Sequence, residues 1–313
     1  MNITAEKTTG AVFAALLALL VSSCSADEPA FDLETYTADL AQWRIERIAN
    51  LKGPTGYLNL VGLYWLSDGY TTIGSAANND IVFPASAAAY IGEMQSGPEG
   101  VRLVTASDAE VRYEDVPVNS ILISDDTTDS PVMLTHGSLA WTIIKRDGRF
   151  ALRLRDFEHP AIAAFAPLES YPIDPDLRVT ATLNLLDEPR VMNVNTTIEG
   201  LGYHPQSPGN VAFEIGGEAY ELEAYESGDS LFFVFGDATS GRETYPAGRF
   251  PYAEVPGEDG ETVLDFNRAY NPPCAFNAFA TCPVASPRNR LKTRIEAGEK
   301  YDPAVHSIPD GYH

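Results

Sequence analysis

The chain has 313 residues, with 44 acidic and 21 basic side chains, a net charge of −23 and 44% hydrophobic residues. That size and apolar content suit one large or two modest domains with their own cores, and the negative field argues against a nucleic-acid or anionic-membrane surface. Missing too are Gly-x-Gly-x-x-Gly, Gly-x-x-x-x-Gly-Lys, His-Glu-x-x-His, Cys-x-x-Cys and Gly-x-Ser-x-Gly, so nucleotide-driven chemistry and the common hydrolase elbows lose support.

A short segment containing Lys7 precedes an unbroken apolar run over residues 11–21. The run is too short for a permanent membrane span and right for the core of a signal peptide, here residues 1–23. It ends in Val21, Ser22, Ser23 and Cys24, a small-residue approach to cysteine that resembles the lipobox of bacterial lipoproteins. Cleavage there would leave Cys24 as a lipidated N-terminus and residues 24–31 as a tether. Ser25 after it favours the outer membrane in a cell that has one, so the protein is expected to be exported and membrane-anchored through this lipid. An ordinary cleaved signal is the alternative.

Tyr36, Leu40, Trp43, Ile48 and Leu51 recur every three to five residues without Pro or Gly between them. This predicts one amphipathic helix from about Asp32 to the Gly53-Pro54 stop. From Gly56 onward the period becomes two, with turn residues every eight to twelve positions, the pattern of an all-β protein with mainly antiparallel, sandwich-like or barrel-like sheets. The clearest hairpin has Trp141 and Ile143 before Asp147-Gly148 and Phe150, Leu152 and Leu154 after it, leaving Arg153 and Arg155 on the opposite face. Residues 160–175 are proline-rich and read as a crossover between two β units, 32–159 and 176–313. A second hairpin turns at Gly216-Gly217, and the apolar run 231–235 reads as a strand buried on both faces.

The densest chemistry lies between Asp265 and Tyr301, which carries six basic residues (Arg268, Arg288, Arg290, Lys292, Arg294, Lys300) against three acidic ones (Asp265, Glu296, Glu299). On an acidic body this stretch is locally cationic. Arg249, Arg268 and Lys300 form a candidate cation set for a small anionic or polyhydroxylated ligand, with Asn267, Tyr270, Asn271 and Asn289 to orient it. A hydrolase using Asp265 or Glu299 as base is the second reading, and a structural envelope protein the third. Asp265 pairing with Arg268 or Arg249 is the bland account of the same residues. A Ser240–His204–Asp237 triad can be written down, but five histidines make such a match cheap.

Seven residues separate Cys274 from Cys282, and in an exported chain such a pair reads as a disulfide clamping the loop. A metal pair would need ligands beyond His159, His204 and His306, which carry no ligand spacing, so neither metal nor cofactor is assigned. A thiolate nucleophile would need a cationic neighbour, for which Arg268 or Lys300 are candidates.

The chain resembles the bacterial and archaeal family called domain of unknown function 1684. The resemblance rests on Gly56-Tyr-Leu-Asn-Leu-Val-Gly-Leu-Tyr-Trp-Leu66, Arg153-Leu-Arg-Asp156, Tyr171-Pro-Ile-Asp-Pro175 and Asp237-Ala-Thr-Ser-Gly-Arg-Glu-Thr-Tyr245. It continues through Leu264-Asp-Phe-Asn-Arg-Ala-Tyr-Asn-Pro-Pro-Cys-Ala-Phe276, Thr281-Cys-Pro283, Asn289-Arg-Leu291 and Ala297-Gly-Glu-Lys300. What it implies is a β-rich protein, exported in some members and cytoplasmic in others. In a reducing compartment a purely structural disulfide explains the cysteine pair less well.

Overall fold

The computed structural model describes residues 31–306. The expected signal peptide 1–23, the lipidation site Cys24 and all but the last residue of the tether lie outside the described residues. Helix α1, Leu33–Lys52, begins where Asp32 accepts hydrogen bonds from the Glu34 N–H at 3.0 Å and the Thr35 hydroxyl at 2.6 Å. It stops at Gly53, which is extended and followed by proline. Tyr36, Leu40 and Leu51 are its buried residues.

The first β unit is a sandwich. One sheet sets Leu60–Trp65 beside Arg149–Asp156, Leu139–Arg146 and Met133–His136, and ends in two short strands, Arg112–Tyr113 and Val116–Pro117. The other runs Ile81–Val82, Gly69–Gly74, Gly92–Gly97, Gly100–Thr105 and Ser120–Ile123. Their inner faces close on Trp141, Ile143, Leu152 and Leu154 from the first sheet and Ile73, Met94 and Leu103 from the second. Asp147 and Gly148 both have positive φ, 48° and 74°, as a two-residue hairpin turn matching strand twist requires.

The second unit is a six-stranded antiparallel sheet curled into a nearly closed barrel. Its order is Tyr252–Glu254, Ser230–Phe232, Glu218–Ser227, Gln206–Ile215, Arg178–Val191 and Glu261–Asp265. The end strands approach across a seam, where the Thr262 hydroxyl donates to the Glu254 carbonyl at 2.8 Å. In the run 231–235, Leu231, Phe233 and Phe235 enter the barrel core, while Phe232 and Val234 join a second cluster outside. Only Ser230–Phe232 is regular strand; the chain then continues along Arg249, with reciprocal Phe235 and Arg249 backbone bonds of 3.1 and 2.8 Å. The proline-rich crossover contains one helical turn, Pro160–Ala164, and a 3-10 turn, Pro175–Leu177.

α1 precedes the first unit in sequence, yet its polar contacts reach the second. The Tyr36 hydroxyl donates to Asp265, and Arg47 donates to Glu299 and to the Asn271 carbonyl. The two units are tied elsewhere by Asn277, whose amide donates to the Leu60 carbonyl at 2.9 Å.

Candidate functional site

The residues singled out in the C-terminal stretch divide into a buried set hydrogen-bonded to the fold and a smaller set that reaches an open groove. Arg249, 1% exposed, donates to the carbonyl oxygens of Ala297 and Ile295, the latter at 2.9 Å, and lies 3.5 Å from Asp237. Burial depresses its pKa, and the Asp237 carboxylate opposes that. Asp237 also accepts the Ile295 N–H at 2.7 Å. Together they fasten the C-terminal strap, which makes few ladder bonds of its own, onto the barrel wall.

The asparagines do similar work. Asn289 accepts from the Glu223 N–H at 2.8 Å and donates to its carbonyl at 3.0 Å, replacing a strand neighbour. Asn267 makes the same two-way contact with the backbone of Asp174, at 3.0 and 2.8 Å. Asn271 donates through its amide to the Lys300 carbonyl at 2.7 Å and through its backbone N–H to Glu299 at 2.7 Å. Gly298, between Ala297 and Glu299, has φ of 76°, and a Cβ there would lie 2.3 Å from the Ala269 carbonyl oxygen. Only glycine permits that approach.

These contacts correct the expected roles of several residues. Arg249, Asn267, Asn271 and Asn289 are buried against protein partners and do not line the open groove. Glu299, 4% exposed, is occupied by Arg47 and Asn271, and Asp265 by Tyr36, Asn267 and Arg268, so neither stands free as a base. Lys300 lies 4.8 Å from the centre of the Tyr171 ring and does not line the groove that Arg268 reaches. The paper triad does not assemble: Ser240 bonds Asp237 at 3.3 Å, while His204 pairs with Asp147 at 2.9 Å. Among the described residues no group of three or more His, Cys, Asp or Glu side chains is arranged to hold a metal. Cys274 and Cys282 stand as free thiols, not as the expected disulfide, with the Cys274 N–H donating to the Cys282 sulfur at 3.1 Å.

What remains accessible is a groove of about 940 Å³ between α1 and the barrel seam. Arg268 and Tyr270 reach it from the predicted stretch, and Asp265 forms part of its floor. The other walls come from Trp43 on α1, Arg178 at the start of a barrel strand, and Tyr252. The aromatic rings form a continuous surface. Tyr252 and Tyr270 stack with centroids 6.4 Å apart and planes at 14°, and Trp43 lies 6.4 Å from Tyr270. Arg47 covers the far face of Tyr270 at 4.2 Å, and burial holds the Tyr270 phenol protonated well above its ordinary range.

Charge around the groove is mixed. Arg178 and Arg268 face six carboxylates: Asp39, Glu254, Glu258, Asp259, Glu261 and Asp265. Arg268 is tied to Asp265 at 3.4 Å, and its guanidinium lies 5.8 Å from the Trp43 ring. Arg178 rests over the rings of Phe31 and Tyr36 at 5.4 and 6.0 Å. Trp43, Arg178 and Tyr252 were not singled out from sequence. Trp43 reads there as core, and nothing in the local pattern joins residues so far apart.

Comparison with known proteins gives a family and little chemistry. Residues 163–300 match the family described as "Protein of unknown function (DUF1684)". The chain is 31% identical to an uncharacterized protein of Haloarcula marismortui solved by NMR, over 46% of this chain and 80% of that one, with a TM-score of 0.39. It is 26% identical to the FHA-2 domain of a Mycobacterium tuberculosis ABC transporter, over 28% of this chain and 77% of that one, with a TM-score of 0.21. No curated protein matches.

Proposed function

We propose that this chain, which belongs to the DUF1684 family of proteins of unknown function, is an envelope lipoprotein that binds a small polyhydroxylated ligand in the groove under α1. The observation that carries the reading is the aromatic surface of Trp43, Tyr252 and Tyr270 bordered by both guanidinium and carboxylate groups. Sugar rings present C–H faces that pack on aromatic planes, and their hydroxyl groups donate to carboxylates and accept from arginine. A simple anion fits less well, because six carboxylates around two arginines oppose net negative charge in the groove. The lipobox-like approach to Cys24 supports export and anchoring of the N-terminus.

The enzyme reading has less support. Asp265 and Glu299 are each held by hydrogen bonds to the fold, Asp265 by Tyr36 and Glu299 by Arg47.

A thermal-shift series on the protein tests the binding reading, with neutral sugars in one arm and inorganic phosphate and organic acids in the other. A sugar at 100 times its Kd stabilises by about 2.7 kcal/mol, and Trp43→Ala, binding about tenfold more weakly, should cut this to about 1.4 kcal/mol while leaving the protein folded. A shift from the anions alone, or one that Trp43→Ala leaves intact, rules the proposal out.

A further inference from the structure

Cys274 lies in a 3-10 turn, Pro273–Ala275, and is partly exposed; Cys282 is buried in the apolar cluster that includes Val194, Tyr225 and Phe232. No covalent bond joins their sulfurs, and the Cys274 N–H donates to the Cys282 sulfur at 3.1 Å, which sets the two thiols side by side. Two hydroxyl residues are fixed beside them. Tyr245 donates to the Cys274 carbonyl at 3.1 Å, and the Thr197 N–H donates to the Cys282 carbonyl at 2.9 Å.

The strongest observation is Arg153, which comes from the other β unit. It is 8% exposed, its Nε is buried with no hydrogen-bond partner, and among the described residues it has no ion pair. A buried guanidinium nitrogen without a hydrogen-bond partner is costly, so an anion is expected near it. The acidic groups around it are the Tyr57 phenol, the Asp126 carboxylate and the Cys282 thiol, and Asp126 is already paired with Arg146 at 2.7 Å. With Asp126 engaged by Arg146, a thiolate of the cysteine pair is a counter-ion the fold can supply to Arg153.

We propose that Cys274 and Cys282 form a reversible dithiol–disulfide couple that exchanges with disulfide substrates, Cys274 attacking, Cys282 resolving and Arg153 stabilising the reduced form. In the first step the Cys274 thiolate attacks one sulfur of a disulfide R–S–S–R, forming the mixed disulfide and releasing RS⁻. In the second the Cys282 thiol gives its proton to the departing thiolate and attacks the Cys274 sulfur. The first RS⁻ takes up the proton that Cys274 lost on ionising, so the products are the Cys274–Cys282 disulfide and two RSH; the protein loses two electrons and the substrate gains them.

The division of labour follows from the environments. The pair gives up its first proton below the ordinary thiol range, chiefly because the Cys282 thiol stands beside the Cys274 sulfur. Burial holds the second proton on Cys282 well above that range. Attack needs access and a thiolate, which only Cys274 combines. Because Arg153 favours the thiolate, it favours the dithiol and makes the disulfide easier to reduce.

The test starts from the reduced protein, incubated with oxidised glutathione and followed by intact mass and peptide mapping. The wild type should lose two hydrogens by joining Cys274 to Cys282, and excess reduced glutathione should restore the dithiol. Cys282→Ser should accumulate one glutathione on Cys274, while Cys274→Ser should form its adduct about tenfold more slowly or not at all. Arg153→Gln should raise the disulfide-to-dithiol ratio at fixed glutathione by about tenfold, the effect of one pK unit. Should the variants fail to fold, limited alkylation of the native wild type decides, with Cys274 expected to be labelled first. A folded wild type that stays at the dithiol mass, an adduct found on Cys282, a disulfide that reduced glutathione cannot open, or Cys282 labelled first would each overturn the proposal.

Discussion

The phenol of Tyr36 donates to both carboxylate oxygens of Asp265, at 3.0 and 2.9 Å, across 229 positions of sequence. This contact holds the first turn of α1 to the end of a barrel strand, and with it one wall of the groove. Tyr36→Phe removes the donor and leaves part of a buried carboxylate unsatisfied. A loss of about 1–3 kcal/mol is expected in urea denaturation. A change under a few tenths would mean that apolar packing alone seats the helix.

The same phenol gives an alkaline dependence. Burial, and then the Asp265 charge, raise the Tyr36 pKa above its ordinary 10.0, and burial with the Glu243 hydrogen bond pushes Tyr171 up to about 12. The folded protein thus holds these protons more tightly than the unfolded chain. Stability from this source is complete below the unfolded value and is lost as pH rises through the folded ones. Urea midpoints at about pH 9 and about pH 11 should fall in that order, with a smaller fall in Tyr36→Phe.

Arg47 and Glu299 meet at 2.7 Å with side chains 14% and 5% exposed. Glu299→Gln leaves the guanidinium without its charge partner, and a loss of about 3–5 kcal/mol is expected from breaking such a pair on one side. Chemical denaturation measures it. A loss within about 1 kcal/mol would place the pair with exposed ion pairs and reopen Glu299 as a functional group.

Gly298→Ala should be among the most damaging small substitutions in the chain. It requires positive φ and sets a methyl group against the Ala269 carbonyl, for an expected loss of about 3 kcal/mol or more. Near-wild-type thermal stability would show that the strap can shift.

In the groove, Trp43→Ala should weaken sugar binding by roughly tenfold, the effect of about 1.4 kcal/mol of lost ring contact. Titration calorimetry reads the change, and Tyr252→Ala should give the same direction, since its ring is exposed and stacked on Tyr270.

Features that depend on neighbouring residues were legible. Asp32 and Gly53 bracket α1, and Asp147-Gly148 makes the hairpin turn, because caps and tight turns need particular residues within a few positions. The chemistry of the C-terminal stretch was harder to read, since a sequence displays polar groups without showing what satisfies them. Arg249 looks like a ligand contact until Ile295 and Ala297 turn their carbonyls toward it. Asn289 looks like an orienting group until Glu223 is found on both its amide atoms. Conversely, Arg153 appears in sequence as one of two arginines on a strand face, and its nearness to Cys282 arises only when the two β units are packed together.

The attachment of α1 to the barrel also sets an order of events during synthesis. Arg47 leaves the ribosome 252 residues before Glu299, the carboxylate that neutralises it. The first β unit can complete its sandwich in that interval, whereas the helix must wait with its apolar side uncovered. Closure of the barrel seam by α1 is therefore a late step of maturation, and the newly made chain has its greatest need of chaperone protection just before the strap arrives.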